Sequence, residues 1–113
     1  MVTERTVFKL TLDTGLVPFD EWYNSLVDKR MRAAVIGRMA RVRAGNFGDH
    51  RPVGEGVQEL RIDLGPGLRI YYAEHGREIL VLIGGGDKST QQKDISKAIS
   101  LWKQWKSKHG GKK

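Results

Sequence analysis

A glycine-rich segment near the end of the chain, "GGGDKSTQQKDI" (Gly84 to Ile95), has the residue types of a phosphate-binding loop. Glycines allow a ligand to approach the backbone closely, and Lys88 supplies a positive charge. A nucleotide-hydrolysing P-loop, however, needs a glycine directly before the lysine, and here that residue is Asp87. The upstream glycine position is occupied by Leu82. The spacing therefore excludes a P-loop and leaves a loop that handles phosphate in another way.

Two arginines and a tyrosine are predicted to share one face of a sheet. In "VQELRIDL" and "LRIYYAE" the apolar residues alternate with polar ones, which places Arg61, Arg69 and Tyr71 on the face opposite the apolar set. The "GPG" turn between the two segments predicts that they pair as a hairpin. With Lys88 at the mouth of the next strand, this exposed surface could hold a phosphodiester and stack a base. The alternative is that these residues are the polar face of a half-solvated antiparallel sheet.

Cysteine and histidine usage bears on metal chemistry. The chain has no cysteine, which excludes disulfides, thiolate metal sites and a thiol nucleophile. Its histidines, His50, His75 and His109, are scattered and form no cluster with ligand spacing. We therefore expect neither a metal site nor a cofactor.

The charge of the chain is basic and unevenly distributed. The 113 residues carry a formal charge of +7, with seven basic residues and one acid between Lys29 and Arg51 and six lysines without an acid from Lys97 to the end. A basic stripe favours an anionic partner such as a nucleic acid or a ribosome surface. The alternative is a solvated surface that keeps the protein soluble. The candidate contacts to RNA or the ribosome are Arg38, Arg41, Arg43, Arg51 and Lys93.

Periodicity predicts the order β-α-α-β-β-β-α. Helical spacing from Pro18 and a cap at Asp28 predict two adjacent helices, the second over 29–43. Ser89 with Gln92 fits a capping box at the start of the last helix. The predicted strands cover residues 6–12, 57–64, 68–74 and 79–84. The predicted fold class is therefore α+β, with a small, mainly antiparallel four-stranded sheet packed on an N-terminal helical hairpin and a C-terminal helix.

The organisation predicted from length and hydropathy is a single domain over residues 1–109, followed by a flexible basic tail over 110–113. No apolar stretch reaches the length of a membrane span, and the N-terminus lacks the apolar core of a signal peptide. We therefore expect a cytoplasmic protein with no membrane partner.

Two blocks of the sequence resemble a known family. The segments "GNFGDHRPVGEGVQELRIDLGPGLRIYY" and "VLIGGGDKSTQQKDI" are similar to the phage-derived, HigB-like branch of the RelE/ParE toxin superfamily, often called addiction-module killer proteins. The resemblance covers nearly the whole chain and is weakest before Pro18 and after Lys103. It implies a small antiparallel sheet backed by an N-terminal helical pair, in agreement with the predicted order of elements.

The resemblance also implies a function. Such a chain would be the toxin of a type II toxin–antitoxin pair, with a helix-turn-helix antitoxin as its partner. RelE- and HigB-like members cut messenger RNA in the ribosomal A site with basic residues on the sheet and without a metal. The family's recurrent arginines match Arg61 and Arg69, and its basic residue after the last long strand matches Lys88. Two positions depart from the family pattern, since Leu68 and Asp94 stand where relatives often carry an aromatic residue and a tyrosine.

The roles that follow suit RNA cleavage by its own 2′-hydroxyl. This reaction needs a proton acceptor, charge stabilisation on the phosphorane and a proton for the leaving oxygen. Arg61 and Arg69 are assigned to the phosphate charge, and Lys88 to the phosphate or the leaving group. Tyr71 could stack a base or help to transfer a proton, and His50 is the candidate acid or base. Without an obvious strong base the ribosome would have to orient the RNA, so free RNA should be a poor substrate.

Two other functions stay open on the sequence. A ParE-like gyrase inhibitor would share the fold without RNA chemistry. A binding module that has lost catalysis would keep the surface without the reaction.

Overall fold

The computed structural model describes residues 5–76 and 79–109. Within these ranges five strands form one mixed sheet in the order β1-β5-β4-β3-β2. The strands are β1 (Thr6–Lys9), β2 (His50–Gly54), β3 (Val57–Ile62), β4 (Leu68–His75) and β5 (Ile79–Asp87). The helices are α1 (Pro18–Ser25), α2 (Lys29–Arg43) and α3 (Gln91–His109), the last preceded by a 3₁₀ turn (Lys88–Thr90). The predicted tail over 110–113 lies outside the described residues.

The prediction of a mainly antiparallel four-stranded sheet is wrong. The sheet has five strands within the described residues, and β1 pairs with β5 in parallel. The strand that the sequence analysis missed is β2, which pairs with β3 in antiparallel orientation across an irregularity between Pro52 and Gly54. Four of its five residues are exposed, so it has no apolar alternation by which the sequence could reveal it.

Apolar side chains cover both faces of the sheet. On one face α1 and α2 pack through Phe19, Val35 and Met39 against Leu60, Ile70 and Leu82. On the other face α3 packs through Ile95, Ala98 and Trp102 against Val57, Tyr71 and Ile83. We refer to these as the α1/α2 face and the α3 face. The sheet is therefore the middle layer of three, and the face that carries Arg61, Arg69 and Tyr71 is partly covered by a helix.

The ends of the helices are fixed by side-chain caps. The side chain of Asp28 accepts a hydrogen bond of 2.8 Å from the backbone N–H of Arg30, which confirms the predicted start of α2. At the last helix the predicted capping residue is wrong. There Asp87 accepts hydrogen bonds from the backbone N–H and the hydroxyl of Ser89, and the 3₁₀ turn leads into α3. The cap lies two residues earlier than predicted, because β5 continues as far as Asp87 and the 3₁₀ turn begins directly after it.

Candidate functional site

A buried carboxylate lies at the centre of the polar part of the α3 face. Glu59 on β3 is fully buried, and both of its oxygens accept hydrogen bonds. Oε1 accepts from Arg51 Nε at 3.1 Å, and Oε2 accepts from Tyr71 Oη at 3.0 Å and from Gln91 Nε2 at 2.9 Å. The guanidinium of Arg69 lies 3.8 Å from Oε2. One carboxylate therefore joins β2, β3, β4 and α3.

These donors keep Glu59 ionised. Burial by itself would raise the pKa of this carboxyl. The hydrogen bonds from Gln91, Arg51 and Tyr71, together with the charge of Arg51, outweigh burial and lower the pKa below its ordinary value. Because all of its donors are protein groups, the Glu59 carboxylate positions its neighbours and is not a free proton acceptor.

Two arginines face each other across the β3–β4 hairpin. The sequence predicted that Arg61 and Arg69 share one face of this hairpin, and the register places them directly opposite each other. Like charges in this arrangement repel, and each is compensated separately. Arg61 donates to Asp49 Oδ1 from Nη2 at 2.9 Å and from Nε at 3.3 Å, and Arg69 lies beside Glu59. The two guanidinium groups are thus kept as a pair on one surface.

The two arginines differ in exposure. The side chain of Arg61 is 37% exposed and that of Arg69 only 12%. Arg69 Nε is buried with no hydrogen-bond partner among the described residues, and Glu59 Oε2 lies 3.8 Å from it. The hydrogen bond that Arg61 donates to Asp49 raises the pKa of Arg61, so this guanidinium is firmly charged. A charged guanidinium that is held in place is a good anchor for an anion.

Lys88 completes the group of cations. A side chain at Gly67 would meet Lys88 Cβ at 3.5 Å and Arg69 Nη1 at 3.9 Å, so both residues border the same glycine. Lys88 itself is exposed on the 3₁₀ turn, and its backbone N–H donates to the carbonyl of Pro66 at 3.4 Å. We call Arg51, Arg61, Arg69 and Lys88 the cationic cluster.

Tyr71 does not have the predicted exposure. Tyr71 lies on the predicted face of β4, but α3 covers this position, and the residue is only 1% exposed. Its hydroxyl donates to Glu59. Burial, reinforced by the charge of Glu59, raises the pKa of Tyr71 far above its ordinary value. Tyr71 therefore can neither stack a base nor accept a proton in this structure.

His50 lies on the other side of the sheet. It pairs with Leu60, whose side chain belongs to the α1/α2 face. The centroids of the His50 and Phe47 rings lie 5.5 Å apart. The Nδ1 atom lies 2.8 Å from the carbonyl oxygen of Gly48. The structure therefore does not bring His50 to the cationic cluster.

The predicted RNA-binding or ribosome-binding residues are dispersed. Arg51 is in the cationic cluster. Arg38 is half-buried on α2 and donates from Nη1 to the carbonyls of Asp49 at 3.3 Å and of Phe47 at 3.5 Å. Burial lowers the pKa of Arg38. Its hydrogen bonds to the two carbonyls hold the loop after α2. The remaining three residues are exposed: Arg41 and Arg43 lie on α2, and Lys93 lies on α3.

Three residues of the site were missed by the sequence analysis. Alternation does place Glu59 on the same face as Arg61, but it gives no reason to expect the carboxylate to be buried. Asp49 precedes a strand that was not predicted. Gln91 reaches Glu59 from a position 32 residues further along the chain. Only the tertiary arrangement of α3 over β3 reveals this contact.

The arrangement can bind a phosphate and stabilise extra negative charge on it, because Arg61 and Arg69 are paired across the hairpin and Lys88 borders the same glycine as Arg69. Within residues 5–76 and 79–109, no group of three or more His, Asp or Glu side chains could hold a metal ion. In the same part of the chain no helix is long and apolar enough to cross a membrane.

The fold and the cluster define a small three-layer α+β domain with a cationic site on its sheet. No family model matches the chain. It is 45% identical over 83 residues to an uncharacterized protein of Haemophilus influenzae, and the match covers 74% of this chain and 84% of that protein. The chain therefore belongs to the same family as the Haemophilus influenzae protein.

Proposed function

We propose that this protein is the toxin of a type II toxin–antitoxin pair and acts as a ribosome-dependent endoribonuclease on messenger RNA. The observation that carries the proposal is the pairing of Arg61 with Arg69, beside Lys88, on one surface of the sheet. Asp49 and Glu59 offset the repulsion between the two arginines and hold them side by side, and a phosphodiester fits two guanidinium groups. The resemblance of the sequence to HigB-like toxins supports the choice of RNA as the anion.

The proposed reaction divides the chemical work between protein and ribosome. The 2′-hydroxyl oxygen attacks the adjacent phosphorus, and the bond from phosphorus to the 5′-oxygen breaks. Arg61 and Arg69 stabilise the charge that develops on the phosphorane, and Lys88 stabilises the leaving oxygen. Tyr71 and His50 are not assigned a proton, because one is buried with a raised pKa and the other lies on the opposite face. The ribosome then supplies the alignment of the RNA, the acceptor for the proton of the 2′-hydroxyl and the donor of a proton to the leaving 5′-oxygen.

The proposal includes partners and a compartment. The substrate is messenger RNA on the ribosome, in the cytoplasm, and no metal or cofactor takes part. A helix-turn-helix antitoxin, encoded next to the toxin, neutralises it.

The test is induced expression in cells with and without the neighbouring antitoxin gene, with transcript 5′ ends mapped by primer extension. We expect cuts within translated codons that disappear when translation is blocked. Arg61→Ala and Arg69→Ala should each reduce cutting by about 10²-fold to 10³-fold, because each removes one group that stabilises transition-state charge. Lys103→Ala, an exposed cation outside the cluster, is the matched control and should cut like the wild type.

Other outcomes would identify a different function. Growth arrest without transcript cuts, with relaxed plasmid DNA, would indicate a gyrase inhibitor. Absence of arrest would indicate a binding module without activity. Cutting that survives both arginine substitutions would contradict the assigned site, even if the protein proved to be a nuclease.

A further inference from the structure

The outer edge of β5 is unpaired along half of the strand. Strand β1 pairs with β5 from Thr6 opposite Ile79 to Lys9 opposite Leu82, and Leu10 N–H donates to the carbonyl of Leu82 at 2.8 Å. Beyond Leu82 the only strand beside β5 in the described part of the chain is β4, on its inner edge. The stretch Ile83–Asp87 therefore presents five residues, about 16 Å of strand, whose outer edge is free for another strand.

Two grooves run along this free edge. The first, a cavity of about 260 Å³ between α1 and α3, is lined by Trp22, Ile83, Gly84, Gly85, Ala98 and Leu101. The second, of about 600 Å³, continues past Gly85, Gly86 and Asp87 towards Met31 and Pro66. They are neighbours along the strand, with Trp22, Gly85 and Asp94 lining both. We call the two together the β5 groove.

At two of the glycines of β5, neighbouring side chains leave no room for a side chain. A Cβ at Gly85 would collide with the ring of Trp22, and a Cβ at Gly86 would collide with the carboxylate of Asp94. At Gly84 a Cβ would meet nothing within 4 Å. The backbone is therefore held between an aromatic ring and a carboxylate, and Leu12, Leu16 and Pro18 line the cavity beside it.

The charge of the β5 groove is opposite to that of the chain. Four carboxylates line it, those of Glu21, Asp28, Asp87 and Asp94, against one cation, Lys97. The whole chain has a net charge of +7. A phosphate backbone would be repelled here, whereas basic side chains would be attracted.

The other two edges of the sheet are poorer templates. β2 contains Pro52, which lacks a backbone N–H and discourages strand addition, whereas the irregularity of β5 is confined to Ile83 at the start of the free stretch. β1 has only four residues. The free part of β5 is longer and carries no side chains on three successive positions.

We propose that the β5 groove binds an extended peptide segment with basic side chains, contributed by another protein, which adds a strand to the outer edge of β5. The backbone amides supply the affinity that strand addition gives, and the carboxylates select arginine or lysine over acidic residues. The groove adjoins the cationic cluster, since Arg69 pairs with Gly86 and Lys88 follows Asp87, but no residue of the cluster lines it. The proposal therefore stands whether or not the protein cuts RNA.

The test uses a capped heptapeptide of alternating valine and arginine as the probe, with the full-length protein and amide hydrogen exchange measured by NMR. At ten times the dissociation constant of the peptide, exchange at outer-edge amides of Ile83–Asp87 should slow by about tenfold, because these amides exchange only in the free protein. Two matched peptides separate backbone pairing from charge. One carries glutamate in place of arginine, and the other keeps arginine but is N-methylated at alternate amides; neither should protect these amides.

Variants of the protein test the role of charge. Glu21→Lys changes an exposed residue in the first turn of α1 and should weaken the peptide roughly tenfold. Asp63→Lys makes the same change in charge at an exposed position outside the groove and should stay within about twofold of the wild type. The proposal is overturned if the N-methylated peptide binds as well as its parent, if protection lies elsewhere, or if no peptide binds. Stronger protection of the same amides by a uridine hexamer would also overturn it, in favour of a nucleic-acid groove.

Discussion

Replacing Glu59 by glutamine tests whether one carboxylate organises the cationic cluster. Glutamine keeps the size of the side chain and one acceptor oxygen. Its NH₂ group is a donor and would face a second donor, either Arg51 Nε on one side or Tyr71 Oη and Gln91 Nε2 on the other. Removing one partner of a buried ion pair costs about 3 to 5 kcal/mol. Because Arg51 is partly exposed and one acceptor is retained, we expect the lower end, about 3 kcal/mol of unfolding free energy.

The assay is urea denaturation followed by tryptophan fluorescence. With a slope of about 1.5 kcal/mol per molar urea, a loss of 3 kcal/mol lowers the midpoint by about 2 M. The matched control is Glu21→Gln, an exposed carboxylate, which should change the unfolding free energy by less than about 0.5 kcal/mol.

The pH dependence gives an independent check. The folded-state pKa of Glu59 is lowered from the ordinary value of 4.5. Its ionised form therefore stabilises the fold above that ordinary value, and the contribution is lost as the pH falls through the folded-state pKa. The stability difference between wild type and Glu59→Gln should be constant from about pH 5.5 to 8 and shrink below about pH 4. A variant that loses no more stability than Glu21→Gln, or a difference that grows in acid, would refute the role given to Glu59.

Two further predictions concern the glycines of β5 and the hydroxyl group of Tyr71. Gly85→Ala should lower the free energy of unfolding by about 2 kcal/mol in the same urea assay, because the added methyl group would overlap the ring of Trp22. Gly84→Ala should lower it by less than about 1 kcal/mol, because the added methyl group meets open space. Equal costs for the two would contradict the packing described. Tyr71→Phe removes the hydrogen bond to Glu59 and should lower the free energy of unfolding by about 1 kcal/mol. The pH profile of RNA cutting should not change; a displaced profile would show that the phenol transfers a proton.

The sequence predicted most of the regular elements because their periodicity is local. The alternation of β3 and β4 and the turn between them were enough to predict a hairpin with Arg61 and Arg69 on one face, which is confirmed; their direct opposition comes from the register. The cap at Asp28 was predicted correctly for the same reason, since its acceptor lies two residues from its donor.

What the sequence did not predict depends on contacts between distant segments. The parallel pairing of β1 with β5 joins residues more than 70 positions apart, and no local pattern distinguishes it from an antiparallel edge. The burial of Tyr71 depends on the face on which α3 packs. The apolar stripe of α3 was recognised, but a stripe does not say which side of a sheet it covers.

The energetic arrangement of the cluster itself argues for an anionic ligand. Placing Arg61 opposite Arg69 introduces repulsion, and burying Glu59 costs desolvation that its four neighbours must offset. A fold selected for stability alone would do as well with a neutral pair on β3 and β4 and an apolar residue at position 59. Instead Asp49 is hydrogen-bonded to one guanidinium and Glu59 lies 3.8 Å from the other, so both are held in place side by side. An anion bound between the two guanidinium groups would relieve the repulsion, so ligand binding should stabilise the fold, and substitutions at either arginine should abolish that stabilisation.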